Sequence, residues 1–343
     1  MMWFTDIAIA QPPTPIKVNM AASNHRWIWI LSASISILLL GAVIWQIQWN
    51  DFRSIASGID WRLFLIAIAL LVGEGFATSA RLRHFTRNEA EFSAALKCNA
   101  WYSVLLIALP ARLGEVAAIK LFQTYLNQPY GAAGASIVSQ RLFDLVVLCG
   151  FFCLAIIGFS GLVNSQLLLI IGLAIFGGVI FLLFNLHWVL TLAIRFTKQL
   201  LPNARKILGL LFQARRWIGL TLTPAFVPYA IGITVAKWAL NLSAIALLLM
   251  SLRLELGAAT YAAIAAAYNF FAIIPVQTIG GLGIGESALT AMLSAVAIPL
   301  SMAASASIVA RIALIVSPLL FACLVFIISM ASPTLPTIRK PSS

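Results

Sequence analysis

Apolar stretches alternate with short polar loops along almost the whole chain. Regular runs cover Trp27–Trp49, Trp61–Ala80, Ser136–Phe159, Gln166–Trp188, Phe226–Ser251 and Ala303–Met330. Each offers close to the ~20 residues that an α-helix needs to cross the bilayer core. Tryptophans close both ends of the first run, as interfacial anchors do. Two further apolar regions are interrupted. Ala100–Phe122 contains Pro110, Arg112, Gly114 and Glu115. Gly257–Ile298 contains AIIPVQTIGGLGIGESAL, in which a proline, four glycines and Glu286 sit among apolar residues. Backbone at membrane depth leaves helical form only where protein or a wet cavity satisfies its polar groups. Both regions are therefore read as re-entrant hairpins, and paired breaks in two halves of a chain mark a transporter's binding site.

Composition narrows the class. The 343 residues are 62% hydrophobic and 9% charged, with a mean hydropathy of +1.01. A soluble domain cannot bury that much apolar surface, so the fold class is all-α: a polytopic helical membrane protein of about six full spans plus two hairpins. The formal charge of +12 would point to nucleic acid in a soluble chain. Here the basic residues fall in short loops, which fits anionic headgroups and excludes a nucleic-acid partner. Residues 1–24 read as a disordered tail with Met20 as an alternative start, 25–330 as the membrane domain, and 331–343 as a second tail. Cys98, Cys149, Cys153 and Cys323 read as small core residues, and His25, His84 and His187 show no metal-ligand spacing.

The positive-inside rule then sets the topology. With Ala100–Phe122 as a hairpin, Lys17, Arg26, Arg81, Arg83, Arg87, Lys97, Lys120, the six basic residues of Arg195–Arg216, Arg339 and Lys340 all fall on one side. Only Arg53, Arg62 and Arg253 fall on the other. Both termini are then cytoplasmic, and the second hairpin enters from the outer face. Glu115 precedes Arg141 by 26 positions and Glu286 precedes Arg311 by 25. The match suggests an inverted repeat whose two hairpins face one shared chamber.

Glu74, Arg112, Glu115, Arg141, Asp144, Lys237, Glu286 and Arg311 lie in or beside apolar segments, where an unpaired charge costs about 2.5–3.5 kcal/mol. Arg141 and Asp144 share a helix face, either as a structural ion pair or as a phosphate ligand and its orienting carboxylate. Gly114-Glu115 and Gly285-Glu286 read as hinges or as acids at half-helix starts, with Gly281 and Gly283 shaping the second break. Glu74 and Lys237 serve either bundle pairing or function, and Glu74 and Asp144 are the candidate proton carriers. A phosphate-binding loop is absent, and GGLGIGE lacks the strand–turn–helix setting of a dinucleotide fingerprint. No enzyme activity and no cofactor are expected.

The runs LPARLGEVAAIKLF, SIVSQRLFDLVVL and IIPVQTIGGLGIGESAL resemble the lysylphosphatidylglycerol synthase transmembrane (flippase-like) family over roughly Trp27 to Ser329. The family pattern falls on Pro110, Arg112, Gly114, Glu115, Arg141, Asp144, Pro275, Gly280, Gly281, Gly283, Glu286 and Arg311. Lys120 stands where the family has an arginine, and Gln277-Thr278-Ile279 replaces a Pro/Gly-rich stretch. The resemblance implies a stand-alone member of the bacterial inner membrane, without the soluble aminoacyl-transfer domain. It also implies a flippase or transporter for an anionic lipid or lipid-linked precursor, of which aminoacylated phospholipids, hopanoids and polyprenyl-linked glycolipids are candidate cargoes. The alternative is a non-transporting scaffold for a lipid- or envelope-modifying enzyme. The expected partners are membrane lipids, with a second copy of the chain or an envelope-biosynthesis enzyme beside them.

Overall fold

The computed structural model describes residues 25–87, 89–109, 113–158, 165–201, 204–273 and 281–331. Thirteen helices are assigned among them: α1 (His25–Trp45), α2 (Trp49–Gly58), α3 (Trp61–Phe85), α4 (Phe92–Ala108), α5 (Leu113–Leu126), α6 (Tyr130–Gly158), α7 (Ser165–Phe184), α8 (Leu186–Leu200), α9 (Arg205–Thr221), α10 (Phe226–Ser251), α11 (Ala258–Ile273), α12 (Ile284–Ala295) and α13 (Leu300–Ala331). Both expected tails, and the breaks at 110–112 and 274–280, lie outside the described residues.

The antiparallel pair α3 and α10 fixes the frame. The Asp60 side chain starts α3 by accepting from the Arg62 and Leu63 amides, satisfying donors that the first turn leaves unpaired. The Asp60 amide donates to the Ser251 carbonyl at the end of α10 at 2.8 Å. At the far end of α3, His84 stacks on Phe226, the first residue of α10, at 4.1 Å. With 25 residues, α3 is about 37 Å long at 1.5 Å per residue, enough to cross the ~30 Å hydrocarbon layer. Exposed apolar side chains such as Leu65, Leu154, Phe181 and Ile327 are the faces such a bundle turns to lipid.

Each broken region folds back on itself. α4 begins just after α3 ends. The chain leaves α5 at the same level, where Gln128 Nε2 donates to the Phe85 carbonyl at 3.4 Å. The arms touch near the tip, where a Cβ on Gly114 would stand 3.0 Å from the Leu105 carbonyl oxygen. The second pair, α11 and α12, returns to the other end of the bundle, where Leu293 of α12 shares a buried cluster with Leu252, Leu254 and Ile55. The longest arm has 17 residues, about 25 Å, so none crosses the hydrocarbon layer alone. The two hairpins enter from opposite ends, as the charge distribution predicts.

The contacts repeat. α3 packs on α4, α4 on α5 and α5 on α6; α10 packs on α11, α11 on α12 and α12 on α13. The exchange between halves is matched as well: α4 meets α13 and α11 meets α6, α2 meets α13 and α9 meets α6, α1 meets α13 and α7 meets α6. A unit of α1–α6 thus reappears as α7 and α9–α13, with α8 inserted. Because α10 runs opposite to α3, the second copy is turned over, which makes this an inverted repeat.

Four expectations need correction. Four helices among the described residues, α3, α6, α10 and α13, are long and apolar enough to cross a membrane, or five spans if the bent pair α7 and α8 counts as one, where about six were expected. The expected span Gln166–Trp188 ends at Asn185, where α7 and α8 meet at 68°, because the chain turns from uniformly apolar to amphipathic there. The six basic residues of Arg195–Arg216 lie on the end of α8 and on α9 rather than in a short loop. Arg81 is not in a loop: α3 continues to Phe85 and buries it to 4% exposure.

Candidate functional site

Asp144, near the middle of α6, gathers three other helix residues around it. Arg81 of α3 grips it through both terminal guanidinium nitrogens, Nη1 on Oδ1 and Nη2 on Oδ2. Lys237 Nζ donates to Oδ1 at 3.3 Å, and the Trp238 indole N–H does so at 2.7 Å, both from α10. The carboxylate is 1% exposed, and a buried charge persists only when paired and hydrogen-bonded. Lys237 also lies 3.8 Å from the Trp238 ring centroid, a cation–π geometry. Its other carboxylate neighbour is Glu74 at 4.0 Å, which accepts from Asn241 Nδ2 at 3.2 Å.

Arg141 sits one turn before Asp144, but the two side chains meet only at 3.9 Å. Each has a closer partner elsewhere, so the expected i,i+3 pair is secondary for both residues. Arg141 Nη2 donates to Glu115 Oε1 at 2.7 Å and to the Tyr102 hydroxyl at 3.2 Å. One triad thus joins the first hairpin arm, the start of the second arm and the following long helix. The other half of the molecule builds the same triad. Arg311 of α13 meets Glu286 of α12 at 3.1 Å and hydrogen-bonds Tyr268 of α11.

Local backbone explains where the second glutamate sits. Gly281 and Gly283 have φ of +70° and +84°, values that glycine reaches without the steric penalty other residues meet. The break releases α12 at Ile284, and the Gly283 amide donates to Glu286 Oε2 at 2.6 Å, occupying a donor that would otherwise be unpaired at the helix start. A Cβ on Gly285 would stand 3.2 Å from the Tyr268 hydroxyl oxygen and 3.5 Å from Arg311, so the small residue lets the triad close.

A cavity of about 290 Å³ opens beside Asp144, lined by residues of α3, α4, α5, α6, α10 and α13. Arg81, Arg141, Lys237, Glu74 and Asp144 all line it. Pro318 removes a backbone donor from α13, and Leu314, Ser317 and Pro318 lie on the cavity wall; a proline there leaves the carbonyl four residues earlier without its helical partner. Of the expected site residues, Glu74, Arg141 and Asp144 line this cavity, with Glu115 held on Arg141. Gly281, Gly283, Glu286 and Arg311 gather at the second triad instead. Arg112 lies outside the described residues. The single chamber expected for both hairpins falls partly on the breaks at 110–112 and 274–280, outside the described residues. Among the described residues, neither α11 nor α12 lines the cavity, and the position three after Arg311 is Leu314, where the first unit has Asp144.

Arg81, Tyr102, Trp238, Asn241 and Tyr268 escaped the sequence reading. Arg81 was legible in principle as the last charge inside the apolar periodicity of its run. The two tyrosines were not, because Tyr102 precedes its glutamate by 13 positions and Tyr268 by 18. A family described as "Lysylphosphatidylglycerol synthase TM region" matches residues 29–322. No curated protein and no solved structure matches the chain.

Proposed function

Starting from a chain that belongs to the lysylphosphatidylglycerol synthase TM region family, a multi-pass membrane protein of the lipid-modification and flippase-like kind, we propose that it moves an anionic lipid or lipid-linked precursor between leaflets. The reading places it in a bacterial inner membrane with both termini in the cytoplasm. The observation that carries it is the charged cavity within an inverted repeat. Three cations and two carboxylates line that cavity, one positive charge in excess, at the depth where transporters of this build bind cargo. Its volume of about 290 Å³ sits at the lower edge of ligand pockets, roughly 300–1,000 Å³. That suits a headgroup whose acyl chains stay in lipid.

In this scheme Arg141 meets the headgroup. A guanidinium offers two parallel donors to a phosphate, a geometry that lysine's single ammonium cannot copy. Taking the phosphate requires Arg141 to loosen its bond to Glu115, and that carboxylate sits on the hairpin. Cargo binding is thereby coupled to hairpin position. The Glu286–Arg311 pair closes the corresponding contact in the other half. Of the two candidate proton carriers Glu74 is the better placed, since it faces the cavity with 21% exposure, while Asp144 is enclosed by its donors.

Translocation of labelled lipid in proteoliposomes tests this. The Arg141→Ala/Arg311→Ala protein is expected to lose at least tenfold in rate, and Arg141→Ala alone most of that. Wild-type rates in the double variant would remove both arginines from the mechanism. A second reading has an observation of its own. Each cation on the cavity wall already has a carboxylate within 4.0 Å, as a purely structural network would. That reading makes the protein a scaffold, and it predicts an inactive reconstituted protein that co-purifies with a lipid-modifying enzyme.

A further inference from the structure

A second cavity, of about 390 Å³, opens at the end of the bundle where α3, the α5–α6 corner and α9 meet. It lies one helical turn beyond the charged cavity: Leu82 and Phe122 line the inner space, Thr86 and Leu126 the outer one. Arg87 and Arg216 both line it and both are exposed. Glu89 lines it too, so cations exceed carboxylates by one. Arg87 and the neighbouring Asn127 hold φ of +59° and +53°, left-handed values that residues with a Cβ seldom adopt.

Two residues of the wall also carry a buried polar atom that the described residues leave unserved. Gln128 is 7% exposed and Thr221 is 2% exposed. Gln128 Oε1 and Thr221 Oγ1 have no hydrogen-bond partner among the described residues, although Gln128 Nε2 is used on the Phe85 carbonyl. Gln213, a third amide on this wall, is occupied: its Oε1 accepts from the Gly131 amide at 3.1 Å. Native proteins pair nearly all buried polar groups, so a free acceptor and a free hydroxyl on a cavity wall ask for a ligand with hydroxyl groups.

We propose that this cavity binds a hydroxyl-bearing phosphate ester, with the phosphate on Arg87 and Arg216 and ester hydroxyls on Gln128 Oε1 and Thr221 Oγ1. Arginine is suited to the phosphate by its fork of donors. Such an ester reaches the cavity either as a lipid headgroup or free in solution. Exposed Phe196, Leu200, Ile207 and Leu220 on α8 and α9, interspersed with the basic residues of those helices, make them interfacial helices in composition, which brings lipid headgroups to this opening. The assignment does not depend on the transport reading.

Titration calorimetry on the full chain in uncharged detergent tests it, with glycerol 3-phosphate, inorganic phosphate, dihexanoyl phosphatidylglycerol and dihexanoyl phosphatidylcholine as ligands. The two glycerol phosphate species are expected to bind, and phosphatidylcholine not to. Arg87→Gln/Arg216→Gln should weaken binding at least tenfold, with Arg87→Lys/Arg216→Lys retaining part of it. Both arginines are exposed, so these variants keep the fold. Gln128→Leu should weaken the hydroxylated esters severalfold while leaving inorganic phosphate unchanged. Binding of the lipid without the soluble ester identifies a headgroup site, and equal binding of both identifies a free ester. Absence of binding by every phosphate, wild-type binding in the arginine-to-glutamine protein, or equal binding of phosphatidylcholine would each overturn the assignment.

Discussion

Asparagine at position 144 would still offer an oxygen to the Trp238 indole, but it would leave Arg81 without its counter-charge and Lys237 with only Glu74, at 4.0 Å. Removing one partner of a buried ion pair costs about 3–5 kcal/mol, far more than the intact pair contributes. Asp144→Asn is therefore expected to lower the unfolding midpoint of the purified protein by several degrees. Lys237→Met in the same background should restore part of it, because it removes one stranded cation. A midpoint within error of wild type in Asp144→Asn would show that Arg81 and Lys237 are solvated rather than held by the carboxylate. At this scale the sequence betrays charges but not their partners. Glu115, Arg141, Glu286 and Arg311 stand out because ionised groups in apolar runs are rare. Nothing in the periodicity says that Asp144 belongs to Arg81, 63 positions earlier, rather than to Arg141 one turn away. That choice is made by the crossing of α3 and α10 against α6.

Helices that carry the hairpins meet their neighbours through glycine. A Cβ on Gly114 would approach backbone atoms of Leu105 and Leu106 at 3.0–3.1 Å, so Gly114→Ala has to spread the two arms. Gly283 is tighter: its Cβ would meet Leu39 at 2.5 Å and the Leu40 amide nitrogen at 3.0 Å, with φ already at +84°. Both substitutions are expected to cost about 1–3 kcal/mol as overpacking. Gly150→Ala is the control, since nothing stands within 4 Å of its Cβ and alanine favours a helix over glycine by up to ~1 kcal/mol. Midpoints falling for Gly114→Ala and Gly283→Ala, and unchanged or rising for Gly150→Ala, are the expected pattern in detergent. The same drop in all three would remove close packing as the cause. Elements of this kind were legible in the chain where proline, glycine and charge coincide, as in LPARLGE and GGLGIGE. The bend at Asn185 was not, because a single asparagine in an apolar run is weak punctuation beside the turn from apolar to amphipathic character that follows it.

For the whole molecule, the claim with most consequences is that the two hairpins enter from opposite sides. Geometry gives the two ends of the bundle, one at Phe85 and Phe226, the other at Asp60 and Ser251, but only charge says which faces the cytoplasm. Arg83, Arg87, Lys97, Lys120, Arg215 and Arg216 lie at the first end, and Arg53, Arg62 and Arg253 at the second. In the proposed orientation, which keeps short basic loops in the cytoplasm, α4 and α5 lie on the inner side and α11 and α12 on the outer. In a protein with Cys98, Cys149, Cys153 and Cys323 replaced by alanine, single cysteines at Glu89 and Arg205 should react with an impermeant maleimide only when it reaches the cytoplasmic face. Cysteines at Asn50 and Glu255 should react only from the opposite face. All four native positions named for labelling are exposed, so failure to react reports sidedness rather than burial. Labelling of Glu89 and Glu255 from one face would mean that α3 and α10 do not cross the membrane. The inverted repeat would then lose its relation to the bilayer, and with it the proposed coupling of cargo binding at Arg141 to hairpin position.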